Sequence, residues 1–66
     1  MKLQINGEPR EISGPETVAA LVEVLRLQPA TILVEHNGVA LRRDEWGERR
    51  LADADQLEII QVAAGG

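Results

Sequence analysis

One segment of this sequence has helical periodicity, and it limits the fold more than any other feature. Apolar residues recur there at the i, i+3, i+4 and i+7 spacing of a single helical face, at Val18, Leu21, Val22 and Leu25. The segments on either side alternate apolar and polar residues, as strands do. A chain of 66 residues has room for one small core. We therefore predict an α+β domain in which one sheet packs on one main helix.

The sequence also indicates where this helix begins and ends. Thr17 is the expected N-cap, because its hydroxyl can accept a hydrogen bond from a free amide of the first turn. Ser13, with Glu16 three residues later, is a weaker alternative capping box. Pro29 cannot continue a helix, so we expect the helix to end near Leu27.

The start of the chain predicts a β-hairpin. Leu3 and Ile5 alternate with polar neighbours, and Asn6-Gly7 is a strong signal for a two-residue turn. On the return strand, Ile12 faces the same interior. Pro9 cannot donate a hydrogen bond to a neighbouring strand, so we place the return strand at an edge of the sheet.

Further extended segments follow the helix. The run "TILVEH" leads into a second turn, Asn37-Gly38, and then into the short run "VAL". The final strand, from Leu57 to Val62, is apolar on both faces except at Glu58 and Gln61. This pattern is typical of a central strand.

The order of elements predicts a β-grasp (ubiquitin-like) arrangement. A helix crosses over after an antiparallel pair, and the last strand returns beside the first, which gives a mixed sheet of four to five strands. We expect residues 1–62 to form this domain and residues 63–66 to form a flexible C-terminal diglycine tail. Trp46 is expected to pack an irregular polar loop, "RRDEWGERR", against the domain.

The charge of the chain argues against several classes of partner. Eleven acidic residues against seven basic ones give a net charge of -4, which repels a phosphate backbone, and a single aromatic residue offers no series of stacking surfaces. We therefore expect no nucleic-acid partner. No signal peptide is recognisable, and no apolar run approaches the roughly 18 residues that a membrane span needs. We expect a cytoplasmic protein that makes no membrane contact and is monomeric when free.

The side chains offer little catalytic chemistry. The sequence contains no cysteine, which excludes a disulfide, a thiolate metal site or a reactive thiol of this chain. His36 is the one histidine, and we expect it to be a solvated residue at a strand end rather than a general base. The carboxylates lack metal-ligand spacing, and no glycine loop is suited to phosphate. We predict that the chain is not an enzyme and binds neither a metal nor a cofactor.

The ending "VAAGG" is the chemically distinctive feature of the sequence. Glycine lacks a Cβ atom, so Gly65-Gly66 can enter a narrow channel and present the Gly66 carboxylate. A carboxylate is a poor electrophile, and attack on it requires activation, commonly by transfer to the AMP part of ATP. A sulfur nucleophile could then displace AMP and leave a thiocarboxylate on Gly66. The alternative interpretation is an ordinary frayed terminus.

Several residues stand at the joint spacing of a known family: Thr17-Val18, Asn37, Arg43, Trp46, the acidic turn before the last strand, and the final "QVAAGG". On these residues the whole chain resembles the ThiS family, the sulfur carrier proteins of thiamine biosynthesis. Two positions depart from the family pattern. Ala54 stands where the family usually has glycine, and Arg42 stands where it usually has proline. These departures concern the geometry of two loops.

The resemblance implies a cycle in which this protein is a recycled cosubstrate. A ThiF-type adenylating enzyme would use MgATP to convert Gly66 to an acyl-adenylate. A persulfide protein would supply sulfur, and a ThiG-type thiazole synthase would accept it from the thiocarboxylate. Ala63, Ala64 and Gly65 would thread into the active sites of these partners. This chain would bind no cofactor of its own.

Docking on such partners also requires a surface. Strand alternation puts Leu33, Ile60 and Val62 on the side of the sheet that faces away from the helix. We hypothesise that this apolar patch contacts both partners. Ordinary incomplete burial is the alternative, because single exposed apolar residues are common.

Three other functions remain open from the sequence. The small subunit of molybdopterin synthase and the sulfur carriers of tRNA thiolation share the fold and the terminal diglycine. A ubiquitin-like binding module that never carries sulfur is a rival of a different class.

Overall fold

The computed structural model describes residues 1–62, which form one sheet packed against one α-helix. The strands are β1 (Lys2–Ile5), β2 (Glu8–Glu11), β3 (Ile32–His36), β4 (Val39–Leu41) and β5 (Gln56–Gln61), and the helix is α1 (Val18–Val24). Two short 3-10 helices span Pro29–Thr31 and Arg43–Glu45. The predicted tail, residues 63–66, lies outside the described residues, so its boundary stays a prediction.

The sheet has the topology that the sequence predicts. Its strand order is β2-β1-β5-β3-β4, with β5 parallel to β1 and antiparallel to β3. Strand β5 is therefore central, one residue earlier at each end than predicted. Pro9 lies opposite Gln4 on the edge strand β2, as its missing N–H requires. The mixed five-stranded sheet on one helix confirms the β-grasp prediction.

Both asparagine-glycine pairs form the predicted turns. Asn6 and Gly7 have φ values of 52° and 81°, and Asn37 and Gly38 have φ values of 50° and 83°. Positive φ at both central residues is the type I′ geometry, whose twist matches that of the joined strands. These turns fix the registers of β1 with β2 and of β3 with β4.

Helix α1 begins where the sequence predicts. The hydroxyl of Thr17 accepts a hydrogen bond from the N–H of Ala20 at 3.2 Å, so the alternative start at Ser13 is wrong. Two other free amides of the first turn donate to a distant loop: Val18 N–H to the Arg49 carbonyl at 2.9 Å, and Ala19 N–H to the Trp46 carbonyl at 3.1 Å. The loop before β5 therefore completes the cap of the helix.

The predicted end of the helix near Leu27 is wrong, because α1 stops at Val24. Arg26 adopts a left-handed conformation with φ of 58°. Its N–H donates to the Glu23 carbonyl at 3.0 Å, and Leu27 N–H donates to the Val22 carbonyl at 3.2 Å. These two bonds form a Schellman motif, which ends the helix before Pro29 is reached.

The core lies between α1 and one face of the sheet. The helix buries Val18, Leu21 and Val22. The sheet and loops contribute the other buried apolar side chains, Leu3, Ile5, Ile12, Ile32, Val34, Leu41, Trp46, Leu51 and Leu57. Trp46 is 4% exposed, which confirms that it packs its loop onto the core. Arg43 Cζ lies 5.3 Å from the centroid of the Trp46 ring.

No helix within residues 1–62 has the length and apolar character to cross a bilayer.

Candidate functional site

The site that the sequence predicts begins at the end of β5, the strand that leads into residues 63–66. Strand β5 pairs with β3 over its last residues, where Ile60 lies opposite Leu33 and Gln61 lies opposite Ile32. Beyond the strand, the N–H of Val62 still donates to the Thr31 carbonyl at 2.8 Å. The described chain is thus held up to its final residue, by β3 and then by Thr31, the residue that precedes β3.

The Asn6 side chain also fixes β5. Its Oδ1 accepts the Ile59 N–H at 2.7 Å, and its Nδ2 donates to the Ile59 carbonyl at 3.3 Å. Strand β1 ends at Ile5, so the amide of Asn6 supplies the hydrogen bonds that a further strand residue would have made. The sequence predicts Asn6 only as a turn residue and does not reveal this second role.

Asn37 does the same at the beginning of β5. Its Oδ1 accepts the Gln56 N–H at 2.8 Å, and its own N–H donates to the Gln56 carbonyl at 2.8 Å. The two turn asparagines therefore bind the central strand from opposite sides, one at Gln56 and one at Ile59. An asparagine in both type I′ turns was the available signal, but local sequence does not show what its amide contacts.

His36 is buried, and its prediction as a solvated residue is wrong. It is 5% exposed, because it points to the helix side of β3, as Val34 does two residues earlier. Its Nδ1 accepts the Nε–H of Arg49 at 2.9 Å, and its Nε2 lies 2.6 Å from Asp55 Oδ2. Arginine can only donate, so the proton of the neutral ring sits on Nε2 and is donated to Asp55.

Asp55 links His36 to the β3–β4 turn and to the loop before β5. It accepts hydrogen bonds from Asn37 Nδ2 at 3.0 Å and from the Ala52 N–H at 2.8 Å, in addition to the one from His36. Burial raises the pKa of Asp55, but the hydrogen bonds from Asn37, His36 and Ala52 together outweigh burial and leave the pKa below its ordinary value.

The His36 network joins three separate parts of the chain. It connects the β3–β4 turn, the loop at Arg49 and the turn before β5. Among residues 1–62, no group of three or more histidine, aspartate or glutamate side chains converges as a metal site. The network is therefore suited to positioning the beginning of β5.

The apolar patch of Leu33, Ile60 and Val62 lies on the outer face of the sheet, which we define as the face turned away from α1. Leu33 is 55% exposed, Ile60 43% and Val62 36%, and Leu33 lies directly opposite Ile60. The other large exposed apolar residues lie apart, with Met1 before β1, Val24 on α1 and Val39 at the start of β4. Partner contact by this patch stays a prediction.

The residues predicted to carry the chemistry follow directly after the described part of the chain. Ala63, Ala64, Gly65 and Gly66 lie outside the described residues. The structure describes the strand that precedes them and the patch beside it, with Val62 belonging to that patch and also leading directly into the tail.

Comparison with known proteins places these features in one family. The model of the ThiS family matches residues 3–66. The chain is 29% identical to the sulfur carrier protein ThiS of Escherichia coli, with all of both chains covered. A crystal structure of the thiamine biosynthesis protein ThiS from Geobacter metallireducens superposes with a TM-score of 0.84, at 32% identity and with both chains fully covered.

A second kind of relative is much longer. The chain is 36% identical over its whole length to a thiazole synthase of Paramagnetospirillum magneticum, of which it covers 20%. It therefore spans about a fifth of the length of that relative. A thiazole synthase of Magnetococcus marinus shows the same coverage at 32% identity. Both thiazole synthases contain a region similar to this entire chain.

Proposed function

The chain belongs to the ThiS family, and from this premise we propose that it carries sulfur for thiamine biosynthesis on the carboxyl group of Gly66. The observation that carries the proposal is the match of the family model through the terminal diglycine, to residue 66. The full-length similarity to the Escherichia coli sulfur carrier supports it. The chain is accordingly a small carrier protein rather than an enzyme.

The first step of the proposed cycle activates the carboxylate. A ThiF-type adenylating enzyme binds MgATP, and a Gly66 carboxylate oxygen attacks the α-phosphorus. Pyrophosphate leaves, and Gly66 becomes an acyl-adenylate. ATP and its metal are bound by this partner, and the carrier binds no cofactor of its own.

The cycle takes place in the cytoplasm, with a carrier that is monomeric when free.

The second step exchanges oxygen for sulfur. The outer sulfur of a persulfide protein attacks the acyl carbon, and AMP leaves. A thiol then cleaves the sulfur–sulfur bond, which releases Gly66 as a thiocarboxylate and leaves a disulfide on the donor side. The carrier has no cysteine, so every thiol in this step belongs to a partner.

A ThiG-type thiazole synthase is the proposed acceptor. Two thiazole synthases contain a region similar to the whole of this chain. A carrier and an acceptor that act on each other are expected to work well within one polypeptide, because linkage raises their effective concentration. This relation favours thiazole synthase over molybdopterin synthase or a tRNA thiolase as the acceptor.

The proposed geometry places the docking surface next to the tail. Four extended residues span at most about 13–14 Å, so Ala63, Ala64 and Gly65 can carry Gly66 only a short way from Val62. A partner active site must therefore lie close to the apolar patch of Leu33, Ile60 and Val62. The proposal assigns recognition to this patch and chemistry to the tail.

Intact-mass measurement tests the proposed function. The full chain is incubated with a ThiF-type enzyme, MgATP and a persulfide donor, and we expect a mass increase equal to sulfur replacing one oxygen. Deletion of Gly66 should abolish the increase, since the remaining carboxylate would stop one residue short of the active site. An unchanged mass with an enzyme that adenylates the Escherichia coli carrier would refute the proposal.

A further inference from the structure

Two cross-strand pairs lie side by side on the outer face where β3 meets β5. Leu33 lies opposite Ile60, and Glu35 lies opposite Glu58. The residues within each strand are two positions apart, so both pairs share one face. Directly opposed side chains in an antiparallel pair have Cβ atoms about 4.5–5.5 Å apart. The apolar patch is thus bordered directly by a carboxylate pair, Glu35 and Glu58.

The carboxylate pair is an unfavourable arrangement for the isolated domain. Like charges placed directly opposite each other destabilise a sheet. Within residues 1–62, neither Glu35 nor Glu58 takes part in a salt bridge or a side-chain hydrogen bond that would offset the repulsion. The fold itself gains nothing from two glutamates in this register.

Positive charge is scarce on the outer face. Among the strand residues, Lys2 is the one cation at an outward position, and it lies opposite Glu11 at the far side of the sheet from β3. The other six cations of the chain lie on the inner side of β2, at the end of α1, or between β4 and β5: Arg10, Arg26, Arg42, Arg43, Arg49 and Arg50. Arg42 continues the register of β4 beside Leu33, but its guanidinium pairs with Asp44 at 3.2 Å. Within residues 1–62, no cation pairs with Glu35 or Glu58.

We infer that the outer face docks on a protein surface that combines an apolar centre with an adjacent arginine or lysine, and that this surface surrounds the tail channel of the adenylating enzyme. Apolar side chains of the enzyme cover Leu33 and Ile60, and its cation lies in front of Glu35 and Glu58. The inference rests on the proposed function. It adds the carboxylate pair as the part of the surface that selects the partner.

The chemistry of adenylation favours this occupant. An enzyme that brings a carboxylate to the α-phosphate of ATP must gather positive charge around several anions. A basic mouth on its channel would attract the acidic outer face and guide the tail inward. A second copy of this chain is disfavoured, because two outer faces packed together would oppose two carboxylate pairs.

Neutral isosteres of the pair test the inference. Glu58→Gln and Glu35→Gln are prepared in the full chain, and binding to a ThiF-type adenylating enzyme is measured by calorimetry at low and high salt. We expect each variant to bind about tenfold more weakly at low salt, because a charge-assisted contact is lost. The salt dependence of binding should also decrease.

The thermal stability of the free variants should rise, whereas their binding to the enzyme should weaken. Removing one charge of an opposed pair should raise the melting temperature of the free variant by about 1–4 °C. A variant that is more stable and yet binds less well cannot be explained by damage to the fold. Glu23→Gln removes the same charge from the exposed side of α1, on the other face of the sheet, and should bind like the wild type.

The outcomes separate this inference from the proposed function. If both glutamine variants bind like the wild type while the wild type still gains sulfur, the inference is wrong and the sulfur carrier proposal stands. Weakened binding to thiazole synthase alone would overturn the chosen occupant. A wild-type chain that neither binds the adenylating enzyme nor gains sulfur would overturn both proposals.

Discussion

At the scale of single residues, four non-glycine positions adopt left-handed backbone conformations. They are Asn6, Arg26, Asn37 and Ala54, with φ values of 52°, 58°, 50° and 72°. Asparagine tolerates this region because its short amide can bond locally. Arginine and alanine have no such compensation. Ala54 is the position where the sequence departs from the usual family glycine, and the structure retains a glycine-like turn there.

Replacing this alanine should stabilise the domain. Ala54→Gly removes a left-handed penalty of about 1–2 kcal/mol, partly offset by the greater freedom of glycine in the unfolded chain. We expect a net gain of about 1 kcal/mol, or a melting temperature higher by about 4–8 °C. Ala52→Gly, in the same turn but without positive φ, should lower stability by about 0.5–1 kcal/mol. Equal effects of the two substitutions would contradict this account.

At the scale of elements, the central strand depends on side chains from the turns around it. The Asn6 and Asn37 side chains hold β5 near its middle and at its start, and the Thr31 backbone carbonyl accepts the Val62 N–H beyond its end. The strand that leads into the tail is therefore fixed from both sides. This rigidity suits a carrier, because the tail begins from a defined point beside the apolar patch.

Two substitutions at Asn37 should separate its turn role from its side-chain role. Asn37→Gly keeps the backbone conformation but leaves the Gln56 N–H without its acceptor, and we expect a loss of about 1 kcal/mol. Asn37→Ala adds the left-handed penalty of about 1–2 kcal/mol. Urea unfolding measures both losses. If the glycine variant were as stable as the wild type, the Asn37 amide would not hold β5.

The His36 network should make stability depend on acidity. The pKa of Asp55 is lower in the folded protein than its ordinary value, so its contribution is fully present above the unfolded-state pKa of about 3.9. The contribution is lost as the pH falls further, through the folded-state pKa. Asp55→Asn should therefore flatten this acid part of the stability profile.

Urea unfolding at a series of pH values between neutral and acid conditions measures this effect. Asp44→Asn is the matched control, because the Asp44 carboxylate is 75% exposed and, within residues 1–62, pairs with no cation other than the similarly exposed Arg42. The control should follow the wild-type profile. An Asp55→Asn profile as steep as that of the wild type would show that Asp55 does not couple folding to pH.

At the scale of the whole molecule, our proposals place recognition and chemistry in separate parts of a very small protein. Residues 1–62 supply a rigid sheet whose outer face combines an apolar patch with negative charge. The reactive group that we propose is a backbone carboxylate, which needs no folded active site of its own. On this proposal, a chain of 66 residues takes part in sulfur transfer by delivering its terminus to larger partners.

Features that depend on neighbouring residues could be predicted from the sequence. Local geometry predicts four of them: the buried face of α1, its Thr17 cap, both asparagine-glycine turns and the edge position of Pro9. The order of these elements then led to the β-grasp sheet with β5 at its centre. The resemblance to the ThiS family likewise needed only the residues and their spacing, and the family match confirms it.

Contacts between residues far apart in the chain depend on tertiary packing and could not be predicted from the sequence. His36 meets Asp55, 19 positions away, and Asn6 holds Ile59 across 53 positions. The opposition of Glu35 and Glu58 depends on the register of β3 with β5. Periodicity shows which face a side chain occupies, but its partner is set by how the strands and loops pack. The sequence could therefore predict β5, the strand that leads to Gly66. The contacts that fix β5 depend on how distant parts of the chain pack.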